Sequence, residues 1–264
     1  MNNVNKTLYI PLYGKSYVSK KGILLQDKQA EMIWDAESFP LKSKSKSKWL
    51  AYYMGMRSAV FDNWLSEQIS DTPNAVILHI GCGLDSRCLR VNYTAHSWYD
   101  IDFPEVIAER KRFYQPTNTY HMIGIDSRDS ALFDRLPASD SAIVIMEGIS
   151  MYMKQDELKT LLKRLSHHFK NVKLLMDCYT EFAAKASKYK NPINEVGVTE
   201  VYGIDSPLIL TENTRFHFIK EHTMTPVSMI NQLSKAEQFI FKPLYGGKIA
   251  RNMYRLYEYH GNYS

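Results

Sequence analysis

The feature that most constrains the fold is a regular alternation of short apolar segments with helical patterns after residue 74. Five apolar segments are predicted to be strands: Ala75–Ile80, Tyr99–Ile101, TYHMIGI from Thr119, Ser141–Met146 and Val172–Asp177. Three helical patterns lie between them, at Pro104–Tyr114, Ser130–Leu136 and Gln155–Phe169. Because parallel strands need crossover helices, this alternation predicts an α/β fold with a Rossmann-like, doubly wound, mostly parallel sheet.

The regions on either side follow other patterns. Residues 1–70 predict mostly helix after a short extended start, and Pro73 ends this segment. We therefore expect a helical cap or lid over 1–70, packed on an α/β domain over 71–264 as one structural unit.

Beyond Asp177 the pattern is looser. Phe216–Glu221 and Met253–Tyr259 predict late strands, which fit an antiparallel edge of the sheet. The segment 183–212 is either irregular or faces a substrate.

The composition excludes several classes of protein. The chain has 264 residues, of which 45% are hydrophobic, and no stretch approaches the length of a membrane span. The sequence starts without an apolar signal region, so we expect a cytoplasmic protein without a membrane partner. The three cysteines form no C-x-x-C pair, which argues against a disulfide framework and against a zinc or other metal site.

The net charge of +5 owes much to Leu41–Trp49, where four lysines alternate with three serines. A nucleic-acid site would need a broad basic face with interleaved aromatic residues, so no nucleic-acid partner is expected. The segment is either a solvated loop or a lid that attracts an anionic small molecule. The sequence alone does not separate the two.

A glycine-containing loop follows the first predicted strand, in NAVILHIGCGLDSRCLRV. Gly81 and Gly83 allow the backbone to turn sharply and to approach a ligand that a Cβ would obstruct. Because ligands of open α/β sheets bind beyond the carboxyl ends of the strands, this loop predicts a nucleotide-like ligand.

Two acidic residues follow the second predicted strand, about 20 residues further on as in nucleotide-binding folds. Asp100 and Asp102 alternate along the chain, so both can face the loop, and one can accept the hydroxyls of an adenosine ribose. The other has the simpler role of capping the helix predicted at Pro104.

The loop also distinguishes two cofactor classes. A dinucleotide usually meets G-x-G-x-x-G, but Ser86 stands at the third glycine position, with Asp85 and Arg87 beside it. An acid is unfavourable beside a pyrophosphate and acceptable beside an ammonium and a cationic sulfur. This charge argument favours S-adenosylmethionine over NAD.

Four segments together resemble the leucine carboxyl methyltransferase superfamily: YMGMRSAVFDNWL, HIGCGLDSRCLR, YDIDFPEVIAERKRF and VIMEGISMYM. The likeness extends from about Ile10 to Cys178 and is greatest to the bacterial branch of tetracenomycin-type polyketide O-methyltransferases. It implies a class I S-adenosylmethionine-dependent methyltransferase fold.

The resemblance also implies which residues bind the cofactor. Arg57 and Lys15 correspond to the groups that bind its carboxylate, Gly81 lies under it, and Asp102 binds the ribose. Further matches are Asp126 and Ser127 near the adenine, and Glu147 at the methionine end. With Gly83 from the loop, these eight residues form the predicted cofactor site.

These roles also make chemical sense, because a zwitterionic amino acid needs cations for its carboxylate and an acceptor for its ammonium. Arg57 suits the first because a guanidinium pairs bidentately, and Glu147 suits the second. Asp85 and Arg87 are predicted to form a local ion pair that holds the loop.

The acceptor is less defined. A carboxylate acceptor is ionised at neutral pH, whereas a phenol benefits from a general base, and no base stands out in the sequence. Tyr152 and Tyr179 are candidates for the acceptor pocket, and the catalytic residue is left open.

We expect an O-methyltransferase acting on a polyketide-like small molecule with a phenolic or carboxylate oxygen. The alternatives are a carboxyl methyltransferase of a protein C-terminus, an NAD-dependent oxidoreductase, a nucleic-acid methyltransferase using the basic segment, and a cofactor sensor without turnover. The oligomeric state is left open.

Overall fold

The computed structural model describes residues 5–37, 39, 43–187 and 200–262. Within these residues, seven strands form one sheet in the order β3-β2-β1-β4-β5-β7-β6. The strands are β1 Val76–Ile80, β2 Trp98–Asp102, β3 Tyr120–Gly124, β4 Ser141–Met146, β5 Asn171–Tyr179, β6 Phe216–Glu221 and β7 Tyr254–Asn262.

Helices precede the sheet and connect its strands. The α-helices are α1 Tyr9–Lys20, α2 Lys28–Ala36, α3 Lys48–Asp71, α4 Arg87–Arg90, α5 Pro104–Arg110, α6 Gln155–His168, α7 Glu181–Ala186, α8 Val227–Ile230, α9 Lys235–Tyr245 and α10 Lys248–Arg251. Short 3-10 helices span Asn5–Leu8, Ser43–Lys46, Ser130–Arg135, Ser150–Tyr152 and Pro207–Leu210.

The strands in the middle of the sheet are parallel and covered on both faces. β1 pairs in parallel with β2 and with β4, and all five of its residues are buried. A strand covered on both faces needs apolar side chains on both, which explains its nearly continuous apolar sequence. The predicted doubly wound, mostly parallel sheet is confirmed.

The late strands form the predicted antiparallel edge. β7 pairs antiparallel with β5 along its whole length, and β6 pairs antiparallel with the other side of β7. The strand that comes last along the chain is therefore inserted between β5 and β6, which brings Tyr254 opposite Tyr179.

The helices that precede β1 share the core of the sheet. α3 buries apolar side chains on most of its length, and Phe61 and Trp64 belong to one buried cluster with Ile77 of β1 and Ile143 of β4. Burial of this helix against the sheet therefore contributes to the same hydrophobic core. The division into a cap over 1–70 and a domain over 71–264 stays a prediction.

Some predicted boundaries are wrong. The short extended start is not found from Asn5 onward, since Asn5–Leu8 and α1 together are helical through Lys20, and residues 1–4 lie outside the described part of the chain. The helix predicted at Ser130–Leu136 is a 3-10 helix, and the one predicted from Pro104 ends at Arg110. Side-chain capping and turn formation override apolar spacing in such short segments.

Two predicted segments lie partly outside the described residues. In the lysine-serine segment, residues 41–42 are not described, and Ser43–Lys46 and the start of α3 account for most of the rest. In the segment 183–212, residues 188–199 lie outside the described part. Among the described residues, no helix combines the length and the apolar character that crossing a membrane requires.

Candidate functional site

A cavity of about 360 Å³ lies at the carboxyl ends of β1, β2 and β4. This is where the strand order reverses, so the loops after neighbouring strands diverge and leave a crevice. All eight predicted cofactor residues and both candidate acceptor tyrosines line it: Lys15, Arg57, Gly81, Gly83, Asp102, Asp126, Ser127, Glu147, Tyr152 and Tyr179. The structure brings them together, whereas their individual roles stay predictions.

The glycine loop forms one wall of the cavity. Gly81 and Gly83 have φ values of +73° and +52°, in the left-handed region that other residues rarely adopt. A Cβ added at Gly81 would lie 2.7 Å from Cδ1 of Ile149, so the loop after β4 closes directly on this glycine. The backbone amide of Gly81 donates to the carbonyl of Ile101 in β2, which fixes the turn against the sheet.

Asp102, at the end of β2, is held by backbone amides. Its Oδ2 accepts from the amide of Gly83 at 2.8 Å, and its Oδ1 accepts from that of Phe103 at 2.8 Å. Burial raises the pKa of Asp102 to about 6. Within the described residues no ion pair reaches this carboxylate, so its remaining lone pairs are oriented and available for the hydroxyls of a ligand.

Asp100 has a different role from Asp102. It is fully buried, forms an ion pair with Arg110 at 2.5 Å and accepts hydrogen bonds from Tyr120 and Trp98. Arg110 in turn donates to the carbonyl of Gly83 at 3.1 Å. Asp100 therefore supports the loop through Arg110, instead of capping the helix at Pro104 as the sequence analysis allowed.

The opposite end of the cavity carries a buried charge network. Nε of Arg57 donates to Glu147 at 3.0 Å, and its Nη1 donates to Asp177 and to the hydroxyl of Tyr254, each at 3.0 Å. Burial acts to raise the pKa of Glu147, but Arg87 and Arg57 outweigh it and lower that pKa to about 2. Burial raises the pKa of Asp177 to about 6 in spite of Arg57.

Lys15 and the loop acid form the other half of this network. Nζ of Lys15 lies 2.8 Å from Oδ2 of Asp85, whereas Arg87 is 3.5 Å from the same oxygen. Arg87 makes closer ion pairs with Asp62 and Glu147. The predicted local ion pair of Asp85 and Arg87 is therefore present but secondary: Lys15 is the nearest charged partner of the acid, and Arg87 contacts it more closely through its backbone amide, at 2.7 Å.

The remaining predicted residues lie at the end of β3. Asp126 forms a bidentate contact with Arg128, with Oδ2 2.6 Å from Nη2. Ser127 beside it is buried against the cavity. Backbone and side-chain polar groups at this position can contact the edge of a base, the role that the resemblance implies.

Two residues of this site were missed by the sequence analysis. Asp177 ends the strongly apolar segment VKLLMD, and a buried acid in such a strand is itself a signal of a charged partner. Tyr254 arrives from β7, and neither its spacing nor its neighbours in sequence mark it. Only the antiparallel insertion of β7 brings it to Arg57.

Among the described residues, His79 is the one histidine that lines the cavity, and its Nε2 faces Nη1 of Arg87 at 3.3 Å instead of the open space. Burial raises the pKa of Tyr152 and that of Tyr254, so neither phenol ionises readily. The described residues also bring together no group of three metal-ligating side chains.

The donor set fits S-adenosylmethionine. The Asp102 carboxylate, which has no ion pair among the described residues, lines the cavity beside the glycine loop and could accept hydroxyls of a ribose, and the loop has no room for a Cβ at Gly81. An arginine and a carboxylate stand together where a zwitterion would lie, and each can pair with the opposite charge of an amino acid. Most of the remaining wall is apolar, including Ile149 and Met151.

Fold and site together define a class I methyltransferase-like protein. The sequence pattern of the leucine carboxyl methyltransferase family matches residues 7–166, which is more than half of the chain. The chain therefore belongs to this family, as the resemblance predicted.

Two curated relatives are each 30% identical to it over their aligned residues. The tetracenomycin polyketide synthesis O-methyltransferase TcmP of Streptomyces glaucescens is 30% identical over 152 residues, covering 57% of this chain and 56% of the relative. The S-adenosyl-L-methionine-dependent methyltransferase dpfgK of Gibberella zeae is 30% identical over 137 residues, covering 48% and 46%. The chain thus spans about half the length of each relative.

A solved structure shares the fold. The magnesium protoporphyrin IX methyltransferase ChlM of Synechocystis PCC 6803, solved with bound SAH, aligns with a TM-score of 0.53 at 13% identity. The alignment covers 98% of this chain and 100% of that one. At this identity the likeness concerns the fold alone.

Proposed function

We propose that this protein binds S-adenosylmethionine and transfers its methyl group to an oxygen of a small-molecule acceptor. One observation carries the proposal: the Asp102 carboxylate, which has no ion pair with any described residue, and the ion pair of Arg57 and Glu147 line one cavity beside the glycine loop. Family membership and the likeness to TcmP, named as an O-methyltransferase, support it.

The cofactor, when bound, supplies a methyl group already activated on a cationic sulfur. The residues of the chain then have to bind, orient and exclude water. Asp102 accepts the ribose hydroxyls, Arg57 binds the carboxylate and Glu147 accepts from the ammonium. An in-line transfer depends on such alignment, because holding two reactants in place can supply much of the barrier reduction.

The acceptor end of the cavity favours an uncharged or planar molecule. Tyr152, Tyr179 and Tyr254 line it together with apolar side chains. Their hydroxyls can orient an acceptor oxygen, and their rings exclude water. None of these three tyrosines is an evident general base. A carboxylate acceptor is already ionised at neutral pH and needs no base, whereas a phenol acceptor must lose its proton during the transfer.

Calorimetry with S-adenosylhomocysteine (SAH) tests the cofactor site. We expect the parent protein to bind SAH and not NAD, and Asp102→Ala to weaken SAH binding at least tenfold, about 1.4 kcal/mol. Asp71→Ala is a matched control, because Asp71 is exposed and precedes β1 at the opposite edge of the sheet. Preference for NAD, or equal binding by the parent and Asp102→Ala, would contradict the proposal.

Incubation with labelled S-adenosylmethionine tests the acceptor class. The purified protein is mixed separately with the small-molecule, protein and nucleic-acid fractions of a cell extract. We expect label in the small-molecule fraction. Label on protein would instead indicate methylation of a protein carboxylate, and label in no fraction while SAH binds would indicate a sensor.

A further inference from the structure

Helix α9 carries an apolar face that no described residue covers. Phe241 on the inner side of the helix is buried in the core, whereas Phe239 on the outer side is 82% exposed. The exposed apolar residues of α9 form one stripe, called here the apolar stripe: Ala236, Phe239, Ile240, Pro243 and Leu244. Single apolar residues on a surface are ordinary, but a contiguous group of them indicates an interaction site.

Lysines stand at one edge of the apolar stripe. Lys235 and Lys242 lie four residues before and three residues after Phe239, which places both beside that ring on the helix surface. Both are exposed, and no acid among the described residues forms an ion pair with either. Their charges are therefore available to a partner.

The other edge of the stripe is also basic. Glu237, the only acid in the sequence of α9, lies three residues before Ile240. Its Oε1 is 2.8 Å from Nζ of Lys21 and 3.6 Å from Nζ of Lys48, and both lysines remain partly exposed. Lys48 belongs to the lysine-serine segment, to which the proposed function gives no role. One carboxylate on α9 thus offsets four lysines, and the margins of the stripe carry a net positive charge.

The shape and charge of this surface favour one kind of partner. Because Phe239 stands out from the surface, a protein partner would need a matching groove, whereas lipids rearrange around inserted side chains. A second copy related by two-fold symmetry would place this patch against itself, so that lysines of like charge would meet. Lysines at both edges instead complement anionic headgroups, which their long side chains can reach while the rings insert.

We propose that α9 binds to the surface of an anionic lipid bilayer. The apolar stripe inserts at the boundary between headgroups and acyl chains, and the lysines at its edges contact the anionic headgroups. The sequence analysis expected no membrane partner because no segment can span a bilayer, but binding to the surface needs no such segment. This binding does not depend on the proposed methyl transfer.

Two variants test the two contributions separately. Phe239→Ser removes the most exposed ring of the stripe, and the double variant Lys235→Gln/Lys242→Gln removes two charges that no described acid pairs. Since all three side chains are exposed, we expect the free energy of unfolding in urea to stay unchanged in both variants.

Matched controls are available on the other side of the molecule. Leu208→Ser replaces an apolar side chain that is 59% exposed, and Lys163→Gln/Lys170→Gln removes two exposed positive charges. Lys163 lies on α6, which shares a buried cluster with Leu78 of β1, whereas α9 shares one with Ile77. Neighbouring residues of a strand point to opposite faces, so α6 and α9 cover opposite faces of the sheet.

Co-sedimentation with vesicles measures the binding, at about 0.1 M NaCl. Vesicles of phosphatidylcholine alone are compared with vesicles that also contain phosphatidylserine. We expect the partition coefficient of the parent to be at least about tenfold larger for the phosphatidylserine vesicles. It should fall about tenfold in Phe239→Ser and in the α9 lysine variant, and it should stay unchanged in both controls.

Several results would overturn the proposal. They are failure of the parent to bind either vesicle, equal binding to both vesicles, undiminished binding in either α9 variant, and an equal loss in the matched control. If Phe239→Ser lowers the free energy of unfolding, Ile240→Ser on the same stripe decides, because Ile240 is also exposed. A dimer that forms without vesicles and dissociates in Phe239→Ser would assign the stripe to a second copy and refute binding to a bilayer.

Discussion

The raised pKa of Asp102 leads to a quantitative prediction about cofactor affinity. In the proposed complex the ionised carboxylate would accept ribose hydroxyls, whereas the protonated form would lose part of that capacity. With a pKa of about 6, nearly every molecule carries the ionised form at pH 8, and about one in eleven does at pH 5. The contribution of the charge to SAH binding should therefore fall about elevenfold, or about 1.4 kcal/mol, across this range.

Asp177 titrates in the same range and would obscure a single pH profile. Its pKa is also raised to about 6, and it holds Arg57. Protonation of Asp177 weakens that hold and releases Arg57 for the ligand carboxylate, so its effect on affinity has the opposite sign. A comparison with Asp102→Asn removes this contribution, because both proteins retain Asp177.

The measurement is the ratio of the SAH dissociation constants of Asp102→Asn and the parent, by calorimetry at pH 8, 7, 6 and 5. We expect the parent to bind at least tenfold more tightly at pH 8 and to lose nearly all of that advantage by pH 5. An advantage that is constant from pH 8 to pH 5 would refute the reasoning, since the carboxylate would then not titrate near pH 6. Absence of any advantage at pH 8 would show that Asp102 does not bind the ligand.

Three further predictions concern other parts of the site and the fold. Arg57→Ala should weaken SAH binding at least tenfold, because it removes the proposed partner of the ligand carboxylate. Gly81→Ala should lower the free energy of unfolding in urea by about 2–5 kcal/mol, since it combines a left-handed φ with a steric clash. Glu258→Gln should reduce the loss of stability between pH 6 and pH 3. Burial opposes ionisation of Glu258, but hydrogen bonds from histidines, His222 first, lower its pKa. Its stabilising effect is thus present above the ordinary glutamate pKa and is lost as the pH falls.

Each of these predictions has a control or a contradicting result. Unchanged SAH affinity in Arg57→Ala would remove Arg57 from the site. Gly22→Ala is the control for Gly81→Ala, because Gly22 has φ +71° with no atom within 4 Å of an added Cβ, so only backbone strain remains. Equal losses in the two variants would show that Ile149 does not clash. For Glu258→Gln, an acid unfolding curve parallel to that of the parent would contradict the linkage argument.

The sequence predicted the parallel sheet because each central strand is covered on both faces. Such strands must be apolar throughout, and β1 and β4 stand out for that reason. The glycine loop could also be predicted, because its backbone adopts left-handed φ values at Gly81 and Gly83, which favour glycine. Most of the predicted cofactor residues lie together because they follow the carboxyl ends of neighbouring strands. Arg57 lies on α3, and only the resemblance to the family predicted its place in the site.

The sequence could not predict features that depend on tertiary pairing. Tyr254 reaches Arg57 only because β7 lies between β5 and β6, and no local pattern records that order. The pairing of Lys15 with Asp85 depends on how α1 crosses the glycine loop. The type of a short helix such as Ser130–Arg135 cannot be predicted, because six residues are too few for periodicity to distinguish a 3-10 helix from an α-helix.

The position of β7 also has a consequence for biosynthesis. β6 leaves the ribosome before β7, yet within the described sheet its only neighbour is β7. At a usual synthesis rate of about 5–20 residues per second, β6 must wait for its partner while its edge is exposed. During that interval the nascent chain also lacks Tyr254, so the part of the cavity wall that contains Tyr254 is among the last to form after translation of this region.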